Sequence, residues 1–247
     1  MERTRFTGFS RLAIQLALAV SAGLAGMTSA FASDPGSQCV PTADMLAQAA
    51  AIAEQHRQEI FREVGRAEVP WHLKRDFERL VAAAGLDPKK VSLVGMHHRQ
   101  PIAFATVDGQ ILLSSATWGP GSIFTDDEVL AILAHEVAHV KHGHQAHAVC
   151  LAFALAGSNS GSVEEVVNAL KDRMKHDKAL EEMVRQANHR REFEADVSAR
   201  ELLVRVGLDE GAMQRALSRL GVVLPHAESL SHPEVSARAA KAAPLRQ

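Results

Sequence analysis

The feature that most constrains this chain is His135-Glu136-Val137-Ala138-His139, set within a stretch, 125–144, that reads as one amphipathic helix. Two histidines four residues apart lie one turn above each other on the same helix face, so their ring nitrogens can converge on a single metal ion. Glu136, about 100° round the helix from His135, can face the same ion without ligating it. This is the H-E-x-x-H arrangement, in which a glutamate beside a zinc takes a proton from metal-bound water.

So short a pattern needs its helical context, and the context is present. Thr125 and Glu128 form a capping box, Asp126 and Asp127 suit the positive end of the helix dipole, and Phe124 can staple onto Val129. Leu130, Ile132, Leu133 and Val137 supply buried surface, and Gly143 sits where a helix usually stops.

The N-terminus reads as an address. Arg3, Arg5 and Arg11 make a basic region, Leu12 to Met27 an apolar one, and Ala30-Phe31-Ala32 a small-x-small cleavage site. The expected division is a signal peptide at 1–32, a linker at 33–41 and one catalytic domain at 42–247. Export to the periplasm is the expected outcome, and the apolar run is short for a permanent anchor. Removing three Arg and one Glu with that segment takes the net charge from -2 to about -4. Neither value suits nucleic acid, and no basic cluster with interleaved aromatics is present. Cys39 and Cys150 remain; export allows them to pair, and two separate thiols is the competing reading.

Residues 42–64 carry a long helical pattern ended by Gly65, and Pro70 to Ala84 a second, with Leu73, Phe77 and Leu80 on its apolar face. Val91 to Val94 reads as a strand. Ile102 to Val107 and Ile111 to Ser115 flank Asp108-Gly109, the dipeptide a two-residue hairpin prefers. A hairpin ahead of the metal helix can offer Ala103-Phe104-Ala105 as an edge along which an extended substrate adds itself. A small sheet that merely caps the core is the equal alternative.

Beyond the helix, His142, His144 and His147 read as polar residues at a helix end, where imidazolium suits the dipole, rather than as a second metal site. Val149 to Ala156 is a small apolar helix, residues 157–162 a Gly/Ser connection suited to a flap, and Val163 to Lys178 a charged, mostly solvated helix. A catalytic zinc needs a third protein ligand and an open fourth position. The run from Ala179 to Val206 supplies it: Glu192 as ligand, with Asp196 on the same face orienting a zinc histidine through its other ring nitrogen. His189 and Glu194 compete for the ligand position.

His135-Glu136-x-x-His139 followed by Glu192-x-x-Ala195-Asp196 resembles the gluzincin peptidases of the HtpX and CAAX prenyl endopeptidase group, particularly their short exported bacterial members. The family's His-Pro segment falls on His232 and Pro233, with Arg238 six residues after the histidine. The resemblance implies an α+β, predominantly helical minigluzincin fold with a small sheet beside the metal helix. It also implies one zinc ion per chain and endopeptidase activity on misfolded or membrane-associated proteins. Ile102 stands where the family often carries Asn ahead of Ala-Phe-Ala, which weakens any detailed alignment of substrate.

The expected chemistry has Glu136 accepting a water proton and passing it to the departing amine. The chain contains no tyrosine, so an oxyanion donor beyond the metal falls to His232 first and Arg238 second, which the resemblance places beside the site. In relatives the matching histidine also caps the zinc in a closed state. Two other readings stand beside the peptidase: a zinc-containing periplasmic chaperone or scaffold with dormant proteolysis, and a zinc hydrolase of small substrates. The expected partners are protein or peptide substrates, with peripheral association at a membrane or with envelope proteins left open.

Overall fold

The computed structural model describes residues 39–157, 161–223 and 229–242. The signal segment and its cleavage site lie outside the described residues, as do residues 158–160 of the Gly/Ser connection.

The chain opens with α1 (Ala43–Val64), capped by the Thr42 side chain and closed at Gly65, as its pattern predicts. A two-residue strand β1 (Arg66–Ala67) leads to α2 (Trp71–Ala83), which buries Leu73, Phe77, Leu80 and Val81. Three strands follow: β2 (Ser92–Met96), β3 (Ala103–Ala105) and β4 (Gln110–Ser114). The metal helix is α3 (Asp126–Lys141), then come α4 (His144–Ala156), α5 (Val163–Met174), α6 (Lys178–Arg205), α7 (Gly211–Val223) and α8 (Val235–Lys241). The architecture is predominantly helical α+β.

The sheet order is β1-β2-β4-β3, with β2 parallel to β4 and the outer pairs antiparallel. Ile111 and Leu113 of the central strand face one core, with Leu112 between them facing the other, the period of two that a strand imposes. The first core joins this face to α2, α3, the C-terminal half of α6 and α7 through residues such as Leu80, Leu133, Leu202 and Leu217. On the opposite face Ile60 of α1 covers Leu112 and Met96. A third cluster, Val149, Phe153, Val166, Leu170 and Val184, joins α4, α5 and the N-terminal half of α6. Helix α3 runs through the middle and is buried continuously from Glu128 to His139, so its functional groups sit in the interior rather than on a surface stripe.

The capping box of α3 forms as expected, and the fully buried Glu128 also accepts from Arg219 at 2.8 Å. Other expectations need correction. The hairpin loop has three residues, not two: the Thr106 N–H donates to the Gln110 carbonyl, the Gly109 N–H to that of Thr106, and Gly109 sits at φ 81. Gly109 at positive φ closes that longer turn, and the Asp108 carboxylate accepts from Thr106 Oγ1 within it and from Arg57 of α1 at 3.1 and 2.8 Å. Helix α5 is mostly solvated, as its charge predicts, and buries a single stripe of Val163, Val166, Leu170 and Met174. The metal helix also ends earlier than a stretch to residue 144 implies. Gly143, left-handed at φ 63 and ψ 29, breaks the chain there, and His144 begins a new helix instead of ending the old one.

Cys39 and Cys150 pair, with Cα atoms 5.7 Å apart, which decides between the two readings of the cysteines. The bridge fastens the start of the described chain to α4 across 111 residues of sequence. Closing so long a loop restricts the unfolded chain strongly, so replacing both cysteines by alanine should lower the unfolding free energy by about 4 kcal/mol. Denaturant titration of the wild-type and double variant measures this, and a loss below about 1 kcal/mol would contradict it.

Candidate metal centre

Helices α3 and α6 pack face to face, and two alanines of α6 that meet the core without any exposure, Ala195 and Ala199, let them approach closely. One turn of α3 carries His135 and His139, and one turn of α6 carries Glu192 and Asp196. The Nε2 atoms of the two histidines stand 2.9 Å apart. Glu192 presents Oε1 to His139 Nε2 at 3.3 Å and Oε2 to His135 Nε2 at 3.4 Å. All three side chains are buried.

Outside this trio the partners fall into layers. The other nitrogen of His135, Nδ1, lies 2.9 Å from Asp196 Oδ1, as the spacing of the two acidic residues predicts. Arg238 of α8 grips Asp196 with two donors, Nε to Oδ2 at 2.9 Å and Nη2 to Oδ1 at 2.7 Å, while its Nη1 reaches Glu192 Oε2 at 2.9 Å. Glu136 is buried beside His135, and its charge adds to the field that keeps Arg238 protonated. His232 lies on the rim with Nε2 at 3.6 Å from Glu192 Oε2. Its loop is tied to α6 where Asn188 donates to the Leu230 carbonyl and His189 Nε2 meets that of Ser229. His189 is thereby occupied away from the trio and Glu194 turns to a different cluster, so of the three candidates only Glu192 lies within reach of both histidines.

Ala103, Phe104 and Ala105 form β3, which among the described residues pairs with β4 alone and so is the sheet's edge, packed against α3. The expectation for the histidines after the metal helix is overturned at His144. That residue is buried, and burial together with the neighbouring His139 and His142 holds its pKa down to about 2, so it is a neutral imidazole and no dipole-stabilised cation. His144 Nδ1 lies 2.9 Å from His139 Nδ1, and its Nε2 is 3.3 Å from Glu194 Oε2. Sequence reasoning missed this contact and the tie of Asn188 to the 229–230 loop. The one available signal was Gly143, which turns the chain back on itself directly after the histidine motif.

The ionisation of the site is strongly biased. Burial and Arg238 oppose charge on His135, yet the hydrogen bonds it donates to Asp196 and Glu192 outweigh them and lift its pKa to about 10. Burial would raise Glu192, but His232, Arg238 and His139 hold it well below the ordinary carboxylate range. Asp196 is lowered too, with burial overcome by Arg238. Burial holds His232 below its ordinary value, with only part of that effect offset by Glu192.

These residues fit a zinc ion. In a tetrahedral shell with metal bonds of about 2.0–2.1 Å, ligand atoms stand roughly 3.3 Å apart, close to the separations found here. Glu192 Oε2 is buried without a completed hydrogen bond, since Arg238 approaches it as a charge and not along a bonding direction. With His135 neutral, as a ligand must be, the three buried carboxylates Glu136, Glu192 and Asp196 face the Arg238 guanidinium with a formal deficit that a divalent cation would balance. His135, His139 and Glu192 could hold the ion, with Glu136 free beside it.

A helical α+β domain with this buried histidine and carboxylate trio has the makings of a metal-dependent hydrolase site. The family model for peptidase family M48 matches residues 70–245, and the chain belongs to that family, whose members use zinc. A search of curated proteins finds no match. Among solved structures, the crystal structure of S. mikatae Ste24p aligns with a TM-score of 0.56 at 18% identity, over 80% of this chain and 56% of the other. The present chain thus spans little more than half that structure's length, and the likeness speaks for the fold.

Proposed function

We propose that the protein is a zinc endopeptidase that cleaves unfolded or envelope proteins in a quality-control role after export, and that His135, His139 and Glu192 are its zinc ligands. The observation that carries the proposal is the buried trio with Glu136 one residue from its first histidine and a free sheet edge alongside. Bound zinc supplies an acidified water and polarises the scissile carbonyl. Glu136, buried beside the trio and outside it, would hold the proton taken from the attacking water on its carboxylate and return it to the departing amine nitrogen. Asp196 fixes the ring of His135 by taking its Nδ1 hydrogen, and Arg238 fixes Asp196.

On the rim, His232 is the nearest candidate to donate to the developing oxyanion, and its place beside Glu192 also suits a resting role in which it covers the metal. Arg238 is committed to two carboxylates in the interior, which makes it a support for the ligands before it is an oxyanion donor. The β3 edge can align an extended backbone by main-chain hydrogen bonds, a recognition that favours unfolded segments over particular side chains.

Export is supported by the basic and apolar N-terminal pattern and by the Cys39–Cys150 bridge, since disulfides persist in oxidising compartments. No helix among the described residues is long and apolar enough to cross a membrane. The test is digestion of a reduced, alkylated protein by the exported, purified enzyme. Chelation should abolish cutting, one equivalent of zinc should restore it, and mass spectrometry should find internal cleavage. Cutting that persists without metal, or trimming confined to chain ends, would refute the reading.

A further inference from the structure

A second group of potential ligands, His142, His144 and Glu194, lies behind the metal trio. Glu194 Oε1 is 3.3 Å from His142 Nδ1 and Oε2 is 3.3 Å from His144 Nε2, and the two rings stack with centroids 5.4 Å apart. His142 Nε2 meets Ser198 Oγ at 2.6 Å. Spacing alone would suit another cation. A count of protons decides otherwise.

His139 turns Nε2 toward His135 and Glu192, so as a neutral ligand it carries its hydrogen on Nδ1. That N–H needs an acceptor, and the atom 2.9 Å away is His144 Nδ1. His144 must therefore leave Nδ1 bare and hold its own hydrogen on Nε2, which points at Glu194. A nitrogen that bears hydrogen has no lone pair for a cation. When the first site is filled through His139 Nε2, the second group has lost His144 Nε2 as a ligand atom.

We propose that His144, backed by Glu194, is the positioning residue for zinc ligand His139, the counterpart of Asp196 and Arg238 on His135. The proposal rests on His139 being a zinc ligand through Nε2. It assigns a chain that runs from His139 Nδ1–H to His144 Nδ1, and from His144 Nε2–H to the Glu194 carboxylate. His142, fixed by Ser198, holds the other carboxylate oxygen in place. The two zinc histidines are thus supported differently: His135 by a buried carboxylate, His139 by a neutral ring whose charge lies one residue further out, where the Glu194 side chain is 55% exposed. Gly143 makes this geometry available, because its left-handed turn brings residue 144 back beneath residue 139.

The test compares His144→Leu, which removes the acceptor, with His144→Asp, which supplies another, and with Glu194→Ala at the exposed end of the chain. Zinc dissociation constants come from chelator competition, the visible band from cobalt-loaded protein, and fold integrity from thermal unfolding without metal. His144→Leu should weaken zinc by roughly 10- to 100-fold and shift the cobalt band, while His144→Asp should restore affinity to within several-fold of wild-type. Glu194→Ala, which disturbs no buried packing, should weaken zinc by roughly threefold to tenfold, so the proposal stays testable if the leucine variant fails to fold. Wild-type affinity in both a folded His144→Leu protein and Glu194→Ala would overturn the proposal. So would a second zinc equivalent in wild-type protein that Glu194→Ala removes. Unchanged zinc binding in His139→Ala would instead remove the reading on which the proposal rests.

Discussion

Glu136→Gln should leave one zinc per chain and slow the cutting of unfolded protein by roughly 10²- to 10⁴-fold. The two side chains have the same shape, so the packing of α3 is retained in a helix with little room to spare. The amide, however, cannot take a proton from water near neutral pH. Because Glu136 stands about 100° round the helix from His135 and outside the trio that could hold metal, the substitution separates chemistry from metal retention. Zinc content by metal analysis and kcat on a reduced, alkylated protein are the paired measurements. Activity within tenfold of wild-type would remove Glu136 as the base. Loss of zinc together with activity would place it among the ligands.

The second large effect is expected at Arg238. Its guanidinium is buried and serves two carboxylates at once, with two hydrogen bonds to Asp196 and an ion pair to Glu192. Arg238→Met keeps a long apolar stem but strands both acids in the interior, and breaking a buried pair in this way costs about 3–5 kcal/mol. Urea unfolding should show the larger loss in metal-free protein, because zinc neutralises part of the stranded charge. Arg238→Lys restores the charge without the fork and should fall between the two.

The pH dependence has a definite sign. Asp196 and Glu192 titrate below their ordinary range in the fold, so the stability they contribute is present above about pH 4 and is lost as pH falls through their lowered values. Without Arg238 that acid dependence should flatten. A variant within about 1 kcal/mol of wild-type would show that the two acids do not need this partner.

Much of this centre is legible in the sequence, because its chemistry is written in helical spacing. Residues 135, 136 and 139 fix their relative directions by local geometry alone, and so do 192 and 196. The capping residue Thr125 marks a helix start for the same reason: the hydrogen bond that defines it spans three residues. The features that escaped were set at a distance. The parallel pairing of β2 with β4, which makes β3 an edge, has no signature within any one strand. Asp108-Gly109 announced a turn, but not the partner of its carboxylate, Arg57, 51 residues away. His144 looked like a polar residue trailing off a helix, and only the return of the chain at Gly143 revealed a neutral ring against His139.

The length of α6 has a consequence of its own. Asn188 and His189 hold the rim loop, Glu192 and Asp196 meet the metal histidines, and Leu202 and Leu203 anchor the far end in the main core, all on one uninterrupted rod. Such a rod fixes phase as well as distance, since every residue added or removed along it rotates all later side chains by about 100°. Rim and ligands are therefore locked in register like teeth on a single shaft, and the chain's freedom to vary in length lies in its connections instead.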